Sequence, residues 1–374
     1  MSIVNTIGQH IGKLMSQENV SFRKLSEAIG VTHPTLAKYV EGSQPIDSDK
    51  LMRIALFFNK PFDYFFKNES EAIQFMFRAD KPGQNLDSSH YNHLLETIQN
   101  YMDVIGDFDY QYIPPKYHLN GNEKKDALND ILSKIANEQR RAANIEEVIP
   151  ENYFEVIENL GIHVIAKTIQ NDKFFGASSS SPQKGSYIII NDADTISEER
   201  KIFSLIHEYG HLLFHSDQYV KLEYRDLSIN GGRTDYEKIA DKFAGFFLMP
   251  KNLVDSYVNR FERVDIYAMK RYFKVSLQTV YVMLFEYGHI SAEQYRRFWQ
   301  DTNYYGQKKE EPFPISKTDI EQKNSKIIEK IKGLYLNQEI SISKISETLG
   351  LDTISTRQLL KQWRNLDERY LSLK

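Results

Sequence analysis

Thr195-Ile-Ser-Glu-Glu-Arg-Lys-Ile-Phe-Ser-Leu-Ile-His-Glu-Tyr-Gly-His-Leu-Leu-Phe-His215 carries apolar residues Ile202, Phe203, Ile206, Tyr209 and Leu213 at helical spacing. Thr195, with Glu198 three residues on, reads as a capping box, so the run predicts a helix from about Ser197 to Phe214. One turn apart on that helix, His207 and His211 share a face and can hold one Zn2+ between their imidazoles. Glu208 is offset by about 100° and reaches a water beside the metal instead of the metal itself.

A catalytic zinc usually takes three protein ligands, so the third is sought downstream. The run from Tyr236 to Met249, stopped by Pro250, is a second apolar-periodic helix with Ala240, Phe243, Ala244 and Phe247 on one face. Glu237 lies in its first turn on that side and is the candidate third ligand. Asp241, one turn on, is spaced to orient a ligand histidine through its second ring nitrogen. The plainer alternative makes the histidines helix surface and Glu237 a charge answering the helix dipole. The apolar neighbours of the histidine helix, and the second helix behind it, favour the metal.

The order His207-Glu-Tyr-Gly-His-Leu-Leu-Phe-His215, then Glu237-x-x-Ala240-Asp241-x-Phe243-Ala244, then Leu248-Met-Pro250 resembles the ImmA/IrrE family of zinc metallopeptidases over roughly Lys125 to Phe298. The resemblance implies a minimal zincin-like domain in which the second motif supplies the third ligand. It also implies a protease that cuts repressor proteins, turning genes on under stress, phage induction or DNA damage.

A length of 374 residues allows two or three domains, and 41% hydrophobic with 26% charged residues is ordinary for a globular chain. The net charge of −4 leaves nucleic-acid binding to local patches. The absence of cysteine excludes disulfides, thiolate ligands and a cysteine nucleophile, and fits a reducing cytoplasm. No apolar run approaches 18 residues and no secretory leader pattern opens the chain, so a soluble cytoplasmic protein without a membrane partner is expected.

At the N-terminus, apolar Leu25 and Ile29, then Gly30, then Leu36 and Val40 let two short helices cross at a tight turn. Ser21-x-x-x-Leu25-Ser-x-x-Ile29-Gly30-Val31-Thr32-x-x-Thr35-Leu36-x-x-Tyr39-x-x-Gly42 resembles the XRE, phage-repressor-like helix-turn-helix, as nearly all of the first 66 residues do. The resemblance implies double-stranded DNA as a partner and maps base-edge readout onto Thr32, His33, Thr35 and Lys38. Pro34 departs from it, since proline cannot donate to a base. Residues 1–67 carry eight Lys or Arg against six Asp or Glu, a weak excess for duplex binding, so a protein-binding helical module is the alternative. A homodimer is expected, because one such module contacts only a half-site.

Elsewhere, Phe75-Met76-Phe77 is strand-like and precedes a helix through Leu94, Ile98, Tyr101 and Ile105, read as a dimerising or docking segment. Ile162–Lys167 is β-rich, and residues 174–191 read as a hairpin, giving a small antiparallel sheet whose edge could align a peptide by backbone pairing. The serine run 178–181 is read as a mobile turn and His163 as structural. Residues 216–234 form a long loop at the mouth of the site, where Tyr224, Arg225 or Tyr236 could stabilise an oxyanion; nothing in the sequence decides among them. Beyond residue 314, Ile342–Leu351 with Ile354, Leu359, Leu360 and Trp363 repeats a helix-turn-helix spacing.

The expectation is an α+β, mostly α chain. A five-helix helix-turn-helix bundle occupies 1–68, a connecting helical segment 69–120, the zincin-like domain with its trailing helices 121–306, and a helical, helix-turn-helix-like module 307–374. Its function is read as a DNA-binding transcriptional regulator fused to a zinc endopeptidase, with His207, His211 and Glu237 holding Zn2+, Glu208 as general base and an XRE-type repressor as substrate. The alternative is a regulator or antitoxin whose peptidase-like domain senses a ligand or partner without proteolysis.

Overall fold

Short helices with polar caps and two left-handed glycines, Gly30 and Gly42, build the N-terminal unit, residues 1–72. The computed structural model describes residues 3–18, 20–58, 60, 62–66, 75–79, 88–105, 113–119, 125–171, 174–181, 185–215, 235–260, 264–300 and 311–372. In the first unit these form α1 (Ile3–Gln17), α2 (Phe22–Ile29), α3 (His33–Val40), α4 (Ser48–Phe57) and a closing 3-10 turn (Phe62–Phe66). Ser21, Thr32 and Asp47 each cap the helix that follows by accepting from the backbone N–H three residues on. Gly30 ends α2 at φ 71, a conformation a side chain resists, and α3 starts three residues later. Ile11, Leu25, Ile29, Leu36, Ile54 and Phe65 fill the core between the helices.

The second unit, residues 73–374, is built on a four-stranded sheet of β1 (Phe75–Ala79), β2 (His163–Lys167), β3 (Phe174–Ser181) and β4 (Gly185–Asn191), in the order β1-β3-β4-β2. β3 and β4 form the expected hairpin, and β1 adds antiparallel to β3. β2 runs parallel to β4, so the sheet is mixed where an antiparallel one was expected. With β3 reversing direction between them, β2 and β4 point the same way, and it is their adjacency that sequence periodicity does not specify. The serine run is also corrected: Ser178 and Ser179 are buried strand residues of β3, because pairing on both sides satisfies a backbone that small side chains leave free to pack.

Strand alternation divides the apolar residues between two layers. Val164, Ala166, Ile188 and Ile190 face α6 (Lys125–Ala142), α7 (Tyr153–Asn159), α8 (Glu198–Phe214), α9 (Asp235–Leu248), α10 (Lys251–Arg260), α11 (Ile266–Phe273) and α12 (Leu277–Glu286). Ile165, Ala177, Tyr187 and Ile189 face α5 (Ser88–Ile105) and, beyond α13 (Ala292–Gln300) and α14 (Ile320–Lys323), the helices α15 (Ser325–Leu336), α16 (Ile342–Leu349) and α17 (Thr353–Ser372). Helices from 69–120 and from 307–374 therefore share one core with the sheet.

Helix α8 carries the histidines, and its start is pinned by buried charges. Its cap is Ser197, which accepts from Arg200 N at 3.3 Å, and not Thr195. Lys323 Nζ lies 2.9 Å from Glu198 and 2.6 Å from Asp192, and Lys270 Nζ lies 2.5 Å from Glu199. These acidic side chains in the first turn also suit the positive end of the helix dipole. Among the described residues no helix is long and apolar enough to cross a membrane.

Candidate metal centre

Gly210 lets α8 and α9 pack closely. A Cβ there would stand 3.1 Å from Phe243 Cδ1 and 3.3 Å from Ala240 Cα, so a larger residue would force the helices apart. At that separation the first turn of α9 reaches the histidines. His207 Nε2 and His211 Nε2 are 3.0 Å apart, and Glu237 stands 3.4 Å from the first and 3.2 Å from the second. Both histidines are fully buried, and Glu237 retains 22% exposure, which leaves one side of the cluster open.

The outer ring nitrogens are also held. Asp241 Oδ1 lies 2.8 Å from His207 Nδ1; a carboxylate only accepts, so the ring proton sits on Nδ1 and Nε2 offers its lone pair inward. His215 Nδ1 lies 2.8 Å from His211 Nδ1, which orients the second imidazole in the same sense. Donor atoms of His207, His211 and Glu237 lie within 4.8 Å of one another. Their spacing is close to the roughly 3.3 Å edge of a tetrahedron around zinc. Two inward lone pairs and a carboxylate repel one another unless a cation lies between them, so the donor set fits zinc.

Glu208 lies beside this cluster and is fully buried. Ser178 Oγ donates to its Oε2 at 2.7 Å, while Oε1 is buried with no hydrogen-bond partner among the described residues. Gly176 leaves the carboxylate its room, because a Cβ there would meet Glu208 Cγ at 3.2 Å. Burial raises the Glu208 carboxyl, against the opposing charges of His211 and His207 and the Ser178 bond. For Glu237 burial also acts upward, but the neighbouring His207 and His211 outweigh it and hold the carboxyl well below the usual range. Burial and the neighbouring His211 keep the His215 imidazole neutral.

Of the oxyanion candidates, Tyr236 is half-buried with its ring 4.7 Å from that of His215, and Tyr224 and Arg225 lie outside the described residues. His163 stacks on Tyr187 at 4.8 Å. Sequence reasoning assigned no role to Ser178 or His215. His215 had a signal, one further turn along the histidine face; Ser178 had none, since its partner is thirty positions away. In the N-terminal unit Thr32, His33 and Lys38 are exposed and Thr35 is half-buried. Thr32 Oγ1 lies 2.8 Å from Thr35 Oγ1, and the His33 ring packs on Phe22 at 5.2 Å.

Residues 157–285 match the family described as the IrrE N-terminal-like domain, and residues 13–65 match the helix-turn-helix family. The chain joins a helix-turn-helix domain to an IrrE N-terminal-like domain. The IrrE N-terminal-like domain contains His207, Glu208, His211, Glu237 and β3, and the helix-turn-helix domain contains α2 and α3. An uncharacterized HTH-type transcriptional regulator of Rickettsia prowazekii (strain Madrid E) is 27% identical over 139 residues, 37% of this chain and 89% of the relative. A protein of the same description from Rickettsia conorii (strain ATCC VR-613 / Malish 7) is 28% identical over 130 residues, 35% of this chain and 86% of its own. Bacillus thuringiensis PlcR, solved in complex with the peptide PapR7 and DNA, aligns over 98% of this chain and 95% of its own at 11% identity; its TM-score of 0.18 is too low to carry a structural argument.

Proposed function

We propose that this chain is a DNA-binding transcriptional regulator whose IrrE N-terminal-like domain is a zinc endopeptidase, with an XRE-type repressor as its substrate. The observation that carries this reading is the convergence of His207, His211 and Glu237 beside a buried Glu208 whose Oε1 has no hydrogen-bond partner among the described residues. When bound, zinc would supply Lewis acidity, bringing the pKa of water toward roughly 7 and polarising the scissile carbonyl. Glu208 takes the proton of the attacking water at Oε1 and returns it to the leaving amine nitrogen. Ser178 holds the other carboxylate oxygen and so fixes which one meets the water. Asp241 and His215 keep the ligand imidazoles in the tautomer and orientation that metal binding needs. Tyr236 is the described candidate for steadying charge on the carbonyl oxygen.

Thr32, His33, Thr35 and Lys38 read base edges from the start of α3, in a homodimer that spans two half-sites. Thr32 also caps that helix, so its substitution loosens the reading surface as well as removing a contact.

The test is metal analysis of the full chain together with incubation against purified helix-turn-helix repressors from neighbouring genes. About one zinc per chain and discrete cleavage products are expected. Glu208→Gln should retain the metal and lose at least about a hundredfold in cleavage rate. If Glu208→Gln keeps its full effect on gene expression while Lys38→Ala loses it, the domain acts as a sensor without turnover.

A further inference from the structure

Glu208 faces one strand of the sheet, β3. Ser178 donates to its carboxylate, and Gly176 is the position where a Cβ would crowd it. Residues 176 and 178 share a face of β3, so the backbone between them is the stretch of sheet that passes the general base most closely. An extended peptide that paired with β3 on its outer edge would run past Glu208, guided by main-chain hydrogen bonds. That edge is already filled. β1 pairs antiparallel with it, Met76 opposite Ser178, Phe77 opposite Ala177 and Arg78 opposite Gly176. β1 is the edge strand on that side of the sheet, its register slips between Arg78 and Ala79, and it arrives from a part of the chain remote in sequence from the hairpin it joins.

We propose that the outer edge of β3 is the docking edge for an extended peptide and that β1 is its resident occupant, which an incoming peptide strand must displace. The inference rests on the peptidase reading for what happens after docking, but not for docking itself. A tethered strand competes at an effective concentration on the order of millimolar. Free peptides at micromolar concentration are therefore excluded, and a peptide held close by gains entry. The chemistry selected is an unfolded or extended segment with free backbone groups, not a folded surface.

The test uses the full chain, zinc-loaded and carrying Glu208→Gln to prevent turnover, with a fluorescent synthetic peptide of residues 73–80 as the probe. Consecutive residues of an antiparallel strand direct their N–H groups to opposite sides, so of Met76→Pro and Phe77→Pro one removes a bond to β3 and the other points outward. The inward proline should tighten probe binding at least tenfold, and its neighbour should do so much less. A lock provides a second measurement that does not depend on tolerance of proline. The chain has no cysteine, so Phe75→Cys with Ser179→Cys, directly opposed, gives a single disulfide pair. Its oxidised form should bind no probe at concentrations where the proline variant is saturated, and reduction should return binding to the unlocked level. Equal binding by the parent and both proline variants, or binding indifferent to oxidation, overturns the docking edge. Tight binding by the inward-proline variant, with no cleavage of any helix-turn-helix repressor once Glu208 is restored, removes the peptidase reading and leaves the docking edge standing.

Discussion

His215 Nδ1 lies 2.8 Å from Nδ1 of His211, so the histidine that caps the C-terminal end of α8 supports the second ligand histidine from behind. Replacing His215 with Ala should lower zinc affinity by about ten- to a hundredfold, the usual effect of losing the outer partner of a metal-bound imidazole. His215→Gln, which keeps an acceptor, should recover part of the loss. Competition with a chromophoric chelator measures both, and an unchanged affinity in the Ala variant would assign His215 to packing alone.

In the peptidase reading proposed above, Ser178 acts one step from the chemistry, through its bond to Glu208. Ser178→Ala removes a hydrogen bond to a charged group, on the order of 1.5 kcal/mol or more, so kcat should fall about tenfold or further. Zinc content and KM should stay near those of the parent, because neither ligands nor docking are touched. A rise in KM with kcat preserved would place Ser178 in substrate binding instead.

Arg140 on α6 is fully buried and donates to three carbonyls, Phe247 O at 2.7 Å and Ile145 O and Val148 O at 2.6 Å. Phe247 belongs to α9, the helix that brings Glu237 to the histidines, so this contact ties the far end of the ligand helix to the scaffold. Arg140→Met removes the side-chain donor from three carbonyls, of which Ile145 O keeps the Val148 N–H at 3.3 Å, and should cost about 3 kcal/mol or more in urea unfolding, with weaker zinc binding beside it. Arg140→Lys should rescue little, since one ammonium does not reproduce the guanidinium fork.

Glu158 lies on α7 where α15 packs, with Ser325 Oγ 2.5 Å from its Oε2 and its other oxygen without a partner among the described residues. Burial pushes its carboxyl up to about 7, against the Ser325 bond and the Lys326 charge. The folded state then binds more protons than the unfolded chain between the ordinary carboxyl range and about pH 7. Stability from this group therefore falls as pH rises through that window, and the whole penalty, on the order of 3 kcal/mol, is present above it. Glu158→Gln should be stabilising at pH 8 and close to neutral at pH 4. A difference between variant and parent that does not change with pH would show that Glu158 is ionised freely in the fold.

Much of the site was legible because it is local. His207, Glu208 and His211 share one helix, and the spacing of four residues alone sets their faces. Glu237 and Asp241 needed a second helix, but the periodic run ending at Pro250 marked that helix and the side it buries. The strands of residues 163–191 were legible too, while their order was not. β2 and β3 leave similar apolar patterns whether β2 pairs with one neighbour or the other, and the parallel pair with β4 is a choice made by packing on both faces. Ser178 was read as part of a turn, because serine composition does not distinguish a mobile turn from a strand paired on both sides.

By itself the sequence determined the local elements: capped helices, the glycine turn of the N-terminal unit, and a histidine face with a carboxylate beside it. These depend on backbone preferences and side-chain spacing within a dozen residues or so. The tertiary structure decided which distant residues meet that face. Gly210 against α9 sets the reach of Glu237, Ser178 comes to Glu208 across the sheet, and the helices of α5 and the C-terminal segment close the opposite layer. Those meetings depend on how large buried faces fit together, and hydrophobic burial has no direction of its own; only the packed shape singles out one arrangement.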